Sequence, residues 1–332
     1  MKYHEIINEI KKKNFNNVYF LYGDEPYYID LISDTIANAI LHEDEKPFNQ
    51  TTLYGKETNI ETIISEAKEF PFGAKYRVII LKEAQYLKSI EKLENYLQSQ
   101  QLSTILVICY KNKKIDKRKS FYKILKKNSI LFESKKIYDN QIPEWIRTYL
   151  NNHNIKIEIK SCHLIAESLG NNLSKIDNEI KKLLIDIEDD NIVTPELIEK
   201  HIGISKDYNI FELQSAIGKK DILKTNLIVT HFAKNQKNYP FVLTISSLFS
   251  FFQKTMIFHK IKNTNKNNIA NELGINPYFI RDFEISSKNY SIEKLFSIFE
   301  ILRDYDLKSK GINNPSIKES ELLREMILKI LK

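Results

Sequence analysis

Apolar positions in the first 140 residues alternate between two periods. Ile6, Ile7 and Ile10 stripe a helix over 2–13, and the unbroken run 18–22, closed by Gly23, predicts a buried strand entering a turn. Ile29, Ile32, Ile36 and Ile40 return to helical spacing over 27–41. A polar stretch then leads into FNQTTLYG (48–55), read as a strand, and IETIISEAKEF (60–70) predicts an amphipathic helix stopped by Pro71 and Gly73. RVIIL (77–81), STILVICY (103–110) and SILFES (129–134) complete the strand signals. Runs of Val, Ile and Leu separated by helices predict a mostly parallel sheet covered on both faces, an α/β domain.

From IPEWIRTYL (142–150) onward the strand signal disappears and only helices are expected. One covers 161–169 and ends at Gly170. Another is SKIDNEIKKLLIDI, with Ser174 as cap and Asp177 three residues on. Thr194 and Pro195 open a further helix as N-cap and first-turn residue. Beyond 207 the elements lengthen: 209–218, 221–234, 241–261, 290–307 and 316–331. The segment 241–261 is apolar nearly all round, which places it inside a bundle or a subunit interface. The expected organisation is therefore three parts: an α/β domain over 1–140, a small helical domain over 141–206 and a large helical domain over 207–332.

Composition narrows the function classes. Of 332 residues, 42% are hydrophobic and 28% charged, which suits buried cores, and only eight Gly and eight Pro punctuate the chain, which favours long helices. Cys109 and Cys162 stand apart from each other and from any Cys/His cluster, excluding a disulfide scaffold or a cysteine-built zinc site. The polar start MKYHEIINEIKKKNF carries no signal-peptide-length apolar stretch, and no run approaches about 20 uninterrupted apolar residues, so a cytoplasmic protein with no membrane partner is expected. Fifty Lys and Arg against 43 Asp and Glu give +7. That excess permits nucleic-acid contact without requiring it, since the accompanying Asn and Ile bias is what AT-rich coding alone produces.

The strand–turn–helix at 18–36 stands where a nucleotide loop would lie in a P-loop protein. Such a loop needs G-x-x-x-x-G-K-[ST], because glycines expose backbone N–H groups to phosphate and Lys neutralises it. Here Gly23 is followed by Asp24 and Glu25, with no second Gly and no Lys, and two carboxylates face the place of the phosphates. The strand 77–81 continues into Lys82 and Glu83, where a Walker B strand carries its metal-binding acids; Lys82 would repel that metal. No GxSxG, HExxH or GxGxxG occurs, and the seven histidines lack ligand spacing, so no catalytic site, cofactor or metal is expected. Phe70, Pro71 and Phe72 fall at a helix tip, either as anchors for a partner's pocket or as a contact closing the helix end. The run KNKKIDKRK (111–119) makes Lys113, Lys114, Lys117 and Arg118 candidates for contact with a phosphate backbone, or simply a solvated loop.

These pieces have a shared layout. YFLYGDEPYYID, FPFGAKYRVIIL, IPEWIRTYL, LGNNLSKIDNEIKKLL, NIFELQSAIGKKD, INPYFIRDF and RDYDLKSKG occur in an order and spacing that resembles the delta subunits of bacterial DNA polymerase III clamp loaders, along essentially the whole chain. The resemblance implies an AAA+-like first domain without ATP hydrolysis, a lid-like second domain and a C-terminal collar that joins tau/gamma and delta-prime subunits in a hetero-oligomer. It implies binding and opening of the ring-shaped sliding clamp, the beta subunit, for loading on primer–template DNA, with DNA polymerase activity by association only. By position the clamp-binding side chains are Pro71 and Phe72 with Phe70 beside them; the Pro departs from the commonest aliphatic–aromatic pair and leaves the deeper anchor open. The alternatives are a delta-prime-like subunit or an AAA+ ATPase. Two separated cysteines cannot build the zinc module usual in the first, and the missing Gly-Lys-Ser/Thr argues against the second.

Overall fold

Five strands, β1 (Val18–Gly23), β2 (Gln50–Tyr54), β3 (Arg77–Lys82), β4 (Thr104–Lys111) and β5 (Ile130–Ser134), pair in parallel in the order β2-β3-β4-β1-β5. The structure, a computed structural model, describes residues 2–187, 191–203, 205, 207–312 and 317–332. It divides into two compact units, Met1–Ile137 and Tyr138–Lys332.

The first unit holds the sheet with helices α1 (Tyr3–Lys11), α2 (Pro26–Ala39), α3 (Lys46–Asn49), α4 (Ile60–Lys68), α5 (Glu94–Gln98) and α6 (Ser120–Asn128). β1 lies between β4 and β5 and is buried at every residue, as a parallel strand covered on both faces must be. Alternate residues take opposite sides. Phe20, Tyr22, Ile79, Leu81, Leu106 and Ile108 pack with Ile63 and Ala67 of α4 and with Phe121 and Leu125 of α6. Burying each Ile or Phe contributes about 1.5–3 kcal/mol. The helix α2 covers sheet strands through buried Ile29, Ile32 and Ile36, matching the expected stripe. Phe48 and Asn49 close α3 rather than opening β2, so the second strand begins two residues later than its sequence suggested. The helices α5 and α6 went unread in the sequence, being short and interrupted by Lys and Gln.

The second unit carries α7 (Ile142–Asn151), α8 (Ile159–Leu169), α9 (Leu173–Ile185), α10 (Pro195–Ile202), α11 (Ile210–Gly218), α12 (Ile222–Lys234), α13 (Phe241–Ile261), α14 (Lys266–Leu273), α15 (Ile280–Asn289), α16 (Ile292–Ser309) and α17 (Glu319–Leu331). It is not wholly strand-free. A two-residue parallel pair, β6 (Lys156–Ile157) with β7 (Ile192–Val193), is too short to register as a periodicity. Thr194 caps α10 as expected, its hydroxyl accepting from the Leu197 N–H at 3.2 Å. Ser174 does not cap α9. Asn172 does, its side chain accepting from the Lys175 N–H at 3.0 Å, because the helix starts two residues earlier and buries Leu173. Ser316, the expected start of the last helix, and Lys206, at the expected second domain boundary, lie outside the described residues.

Helix α13 is long and apolar enough to pass for a membrane span. Its packing explains that apolarity otherwise. Phe241, Thr244, Ile245, Leu248, Phe251, Phe252, Thr255 and Phe258 form one buried helical stripe in the core of the unit. The two threonines satisfy their hydroxyls on the backbone, Thr244 on Pro240 O and Thr255 on Phe251 O. Val242, Leu243 and Phe249 face outward, so burial is one-sided and not all-round.

Candidate functional site

The tip between α4 and β3 is built from three places in the first unit. Asn59 starts α4 by accepting the Thr62 N–H at 2.8 Å, and Ile60, Ile63 and Ala67 bury the helix on the sheet. The helix stops at Lys68, three residues before Pro71, and the residue before a proline, Phe70, is disfavoured in the helical region. Phe70 is 78% exposed and Phe72 74% exposed. Neither ring is buried against the helix end. Phe48, at the end of α3, is 63% exposed, and its ring centroid lies 5.8 Å from that of Phe72.

Two buried polar side chains brace this tip. The fully buried Asn49 accepts the Phe72 N–H at 2.7 Å and donates to the Phe72 carbonyl at 2.9 Å and the Glu45 carbonyl at 3.2 Å. Arg77, the first residue of β3, places Nη2 2.5 Å from Glu66 Oε2 and 2.8 Å from Glu69 Oε2, tying the end of α4 to the sheet. Its Nη1 donates to the Phe48 carbonyl at 3.4 Å. Phe48, Asn49 and Arg77 were missed in the sequence. The available signal was Arg77, a charge opening an otherwise apolar strand, which must be buried with a partner.

A second region lies at the carboxyl ends of β1, β3 and β4. Gly23 ends β1 at φ +132°, and the N–H groups of Asp24 and Glu25 both reach the Ser134 carbonyl, at 2.9 and 3.3 Å. The Glu25 carboxylate caps α2 by accepting the Tyr27 N–H at 3.1 Å. Burial pushes its carboxyl above the ordinary range, with the Tyr27 N–H and nearby Lys136 opposing. Lys82 ends β3 with Nζ 3.9 Å from Asp34 of α2, and Lys111 ends β4 with Nζ 2.5 Å from Asp30 of the same helix. Glu83 adopts φ 55° and sits 4.0 Å from Lys56.

The basic run beyond β4 is partnered within the chain. Lys113 donates to the Gln85 carbonyl at 2.9 Å, and Lys114 lies 3.7 Å from Asp24. Lys117 meets Glu133 at 2.8 Å, which raises the lysine's pKa and lowers the acid's. Arg118 reaches both oxygens of Asp116, at 3.0 and 3.1 Å, drawing that carboxyl down to about 2. Among the described residues no group of three or more His, Cys, Asp and Glu side chains is placed to hold a metal ion.

A five-stranded parallel sheet followed in sequence by a unit of packed helices is an arrangement shared with known proteins. Residues 19–135 match the family model described as DNA polymerase III, delta subunit, and residues 207–329 match that described as DNA polymerase III delta subunit, C-terminal domain. The chain belongs to the DNA polymerase III delta-subunit family. It is 25% identical over 342 aligned residues to the DNA polymerase III subunit delta of Bacillus subtilis, covering 99% of this chain and 96% of that one. Its fold is similar to the solved Bacillus subtilis DNA clamp loader delta protein, with a TM-score of 0.57, 23% identity and 99% of each chain covered.

Proposed function

We propose that this chain is the non-hydrolysing subunit of a clamp loader, and that it engages the sliding clamp through Phe70, Pro71 and Phe72 and opens the ring for loading on primed DNA. Membership of the delta-subunit family supports the role. The observation that carries the site is that Phe70 and Phe72 stand 78% and 74% exposed on a loop held by hydrogen bonds to the buried Asn49. Large rings left in water on a fixed loop are the makings of an interface anchor. Phe48, beside Phe72, adds a third ring to the same surface.

The first domain, residues 1–140, reads as AAA+-like with its nucleotide function lost. The α2 N-terminus, where a phosphate would bind, is capped by the chain's own Glu25, and anions compete for such a site. Lys82 and Lys111 reach Asp34 and Asp30, where a working site would hold a metal and phosphates. Residues 141–206 then serve as the lid-like domain and 207–332 as the collar that joins tau/gamma and delta-prime. Polymerase activity belongs to the assembly, in the cytoplasm, with primer–template DNA held within the complex. The collar reading draws support from Leu223, Leu243 and Phe296, exposed by 75%, 65% and 59%.

Titration of the purified chain with its cognate clamp and, separately, with Mg-ATP tests the reading. Tight clamp binding with no ATP uptake is expected. A chain that binds ATP in the low micromolar range overturns the reading of a lost nucleotide site, and one that ignores the clamp overturns the rest.

A further inference from the structure

Asn49 is not among the expected site residues, yet its side chain makes two hydrogen bonds to the tip. The amide orientation is fixed by chemistry: the Phe72 N–H requires an acceptor and the Phe72 carbonyl a donor, and Asn49 supplies both, at 2.7 and 2.9 Å. Its second N–H goes to the Glu45 carbonyl at 3.2 Å, so the side chain is itself anchored to the start of α3. The amide therefore acts as a one-residue strand partner for Phe72. It holds the backbone between Pro71, whose ring limits φ, and Gly73, whose φ of +64° completes the turn. Among the described residues Phe72 makes no backbone–backbone hydrogen bond, and without Asn49 it would sample several conformations between the end of α4 and the start of β3.

We propose that Asn49 is a positioning residue for clamp binding, which pre-organises Phe72 in its docking conformation without touching the clamp. The inference rests on the assignment of Phe72 as a clamp anchor. A loop already ordered avoids the conformational entropy that a mobile loop loses on docking. For one residue's backbone that loss corresponds to about a 5- to 30-fold change in affinity.

The test uses the full chain and purified sliding clamp, with Asn49→Ala, Asn49→Leu, Phe72→Ala and the Asn49→Ala/Phe72→Ala double variant, all measured well below their thermal midpoints. Each Asn49 variant should weaken clamp binding about 5- to 30-fold. In the Phe72→Ala background the further loss should be under about 2-fold, because a residue acting only through Phe72 has nothing left to position. A merely structural Asn49 would lower affinity equally in both backgrounds, and that result overturns the proposal. Affinity unchanged by Asn49→Ala but weakened by Phe72→Ala overturns it while leaving the clamp-anchor reading intact; affinity unchanged by Phe72→Ala overturns both. Hydrogen exchange of the wild-type Phe72 amide needs no variant: protection at least about 100-fold over an unstructured amide is expected, and exchange at the unprotected rate overturns the proposal.

Discussion

Gly23 and Ser134 approach so closely that a Cβ on Gly23 would stand 2.1 Å from the Ser134 carbonyl oxygen. That oxygen takes the N–H groups of Asp24 and Glu25, and the Ser134 hydroxyl returns a 2.6 Å bond to the Glu25 carbonyl. The β1–α2 turn is thus sewn to the edge strand β5, using backbone donors that a phosphate-binding turn would leave free.

Gly23→Ala should be strongly destabilising. The new methyl meets backbone, which cannot swing aside, and φ +132° is closed to L side chains. Steric displacement and backbone strain together cost about 2–5 kcal/mol. Urea denaturation should show a lowered midpoint with the slope unchanged; a midpoint within error of wild type would mean the turn is not held as described.

Glu25→Gln should reverse a pH-dependent cost. Burial raises the Glu25 carboxyl above its ordinary 4.5, so folding favours the protonated acid. The associated stability is present below the unfolded pKa and is lost as pH rises through the raised folded value. Gln keeps an oxygen for the Tyr27 N–H and has no charge to desolvate. The variant's midpoint should therefore gain on wild type as pH rises above about 4, the unfolded range of a Glu carboxyl. If the favourable interaction of a carboxylate with the helix N-terminus outweighed desolvation, the difference would run the other way.

The basic run should contribute unequally to DNA binding by the assembled loader. Lys117 and Arg118 are committed to Glu133 and Asp116, whereas Lys113 donates a hydrogen bond to a neutral carbonyl and Lys114 is only loosely paired at 3.7 Å. Replacing Lys113 and Lys114 with Ala should flatten the slope of log K against log salt by about 2, near 0.9 per phosphate contact. Replacing Lys117 and Arg118 should change it by less than about 0.5. Equal effects of the two pairs would refute the distinction.

What was legible in the sequence followed from period and burial. The three central strands of the sheet stood out because 18–22, 78–81 and 105–110 are unbroken apolar runs, which a parallel strand covered on both faces requires. The one-sided burial of α13 was not legible, because Val242, Leu243 and Phe249 look identical to core residues when only composition is read. Helices α14 and α15 were missed because the Asn- and Lys-rich stretch around 262–268 masks the spacing of Ile269, Leu273, Ile280 and Phe283. At the site, Phe70 and Phe72 announced themselves by lying around a proline at a helix end. Asn49 could not, since its role depends on a contact spanning 23 positions that no local pattern encodes.

The rings at the tip should separate by effect. Each is more than half exposed, so truncation removes little from the core, and the exposed-site range of about 0.5 kcal/mol corresponds to a thermal shift under about 2 °C. Clamp affinity should respond far more. Phe72→Ala should lose about 2–4 kcal/mol, some 30- to 1,000-fold, because its backbone is held by Asn49 and its ring enters the interface already placed. Among the described residues no side chain braces the Phe70 backbone in this way, so Phe70→Ala should lose less than Phe72→Ala. Phe48→Ala, which removes the ring 5.8 Å from Phe72, should lose least, about 1 kcal/mol. Clamp affinity and thermal midpoint measured on each variant decide the order. A midpoint falling by several degrees with affinity intact would return these rings to a structural role, and affinity unchanged in all three would refute the tip as the clamp-binding site.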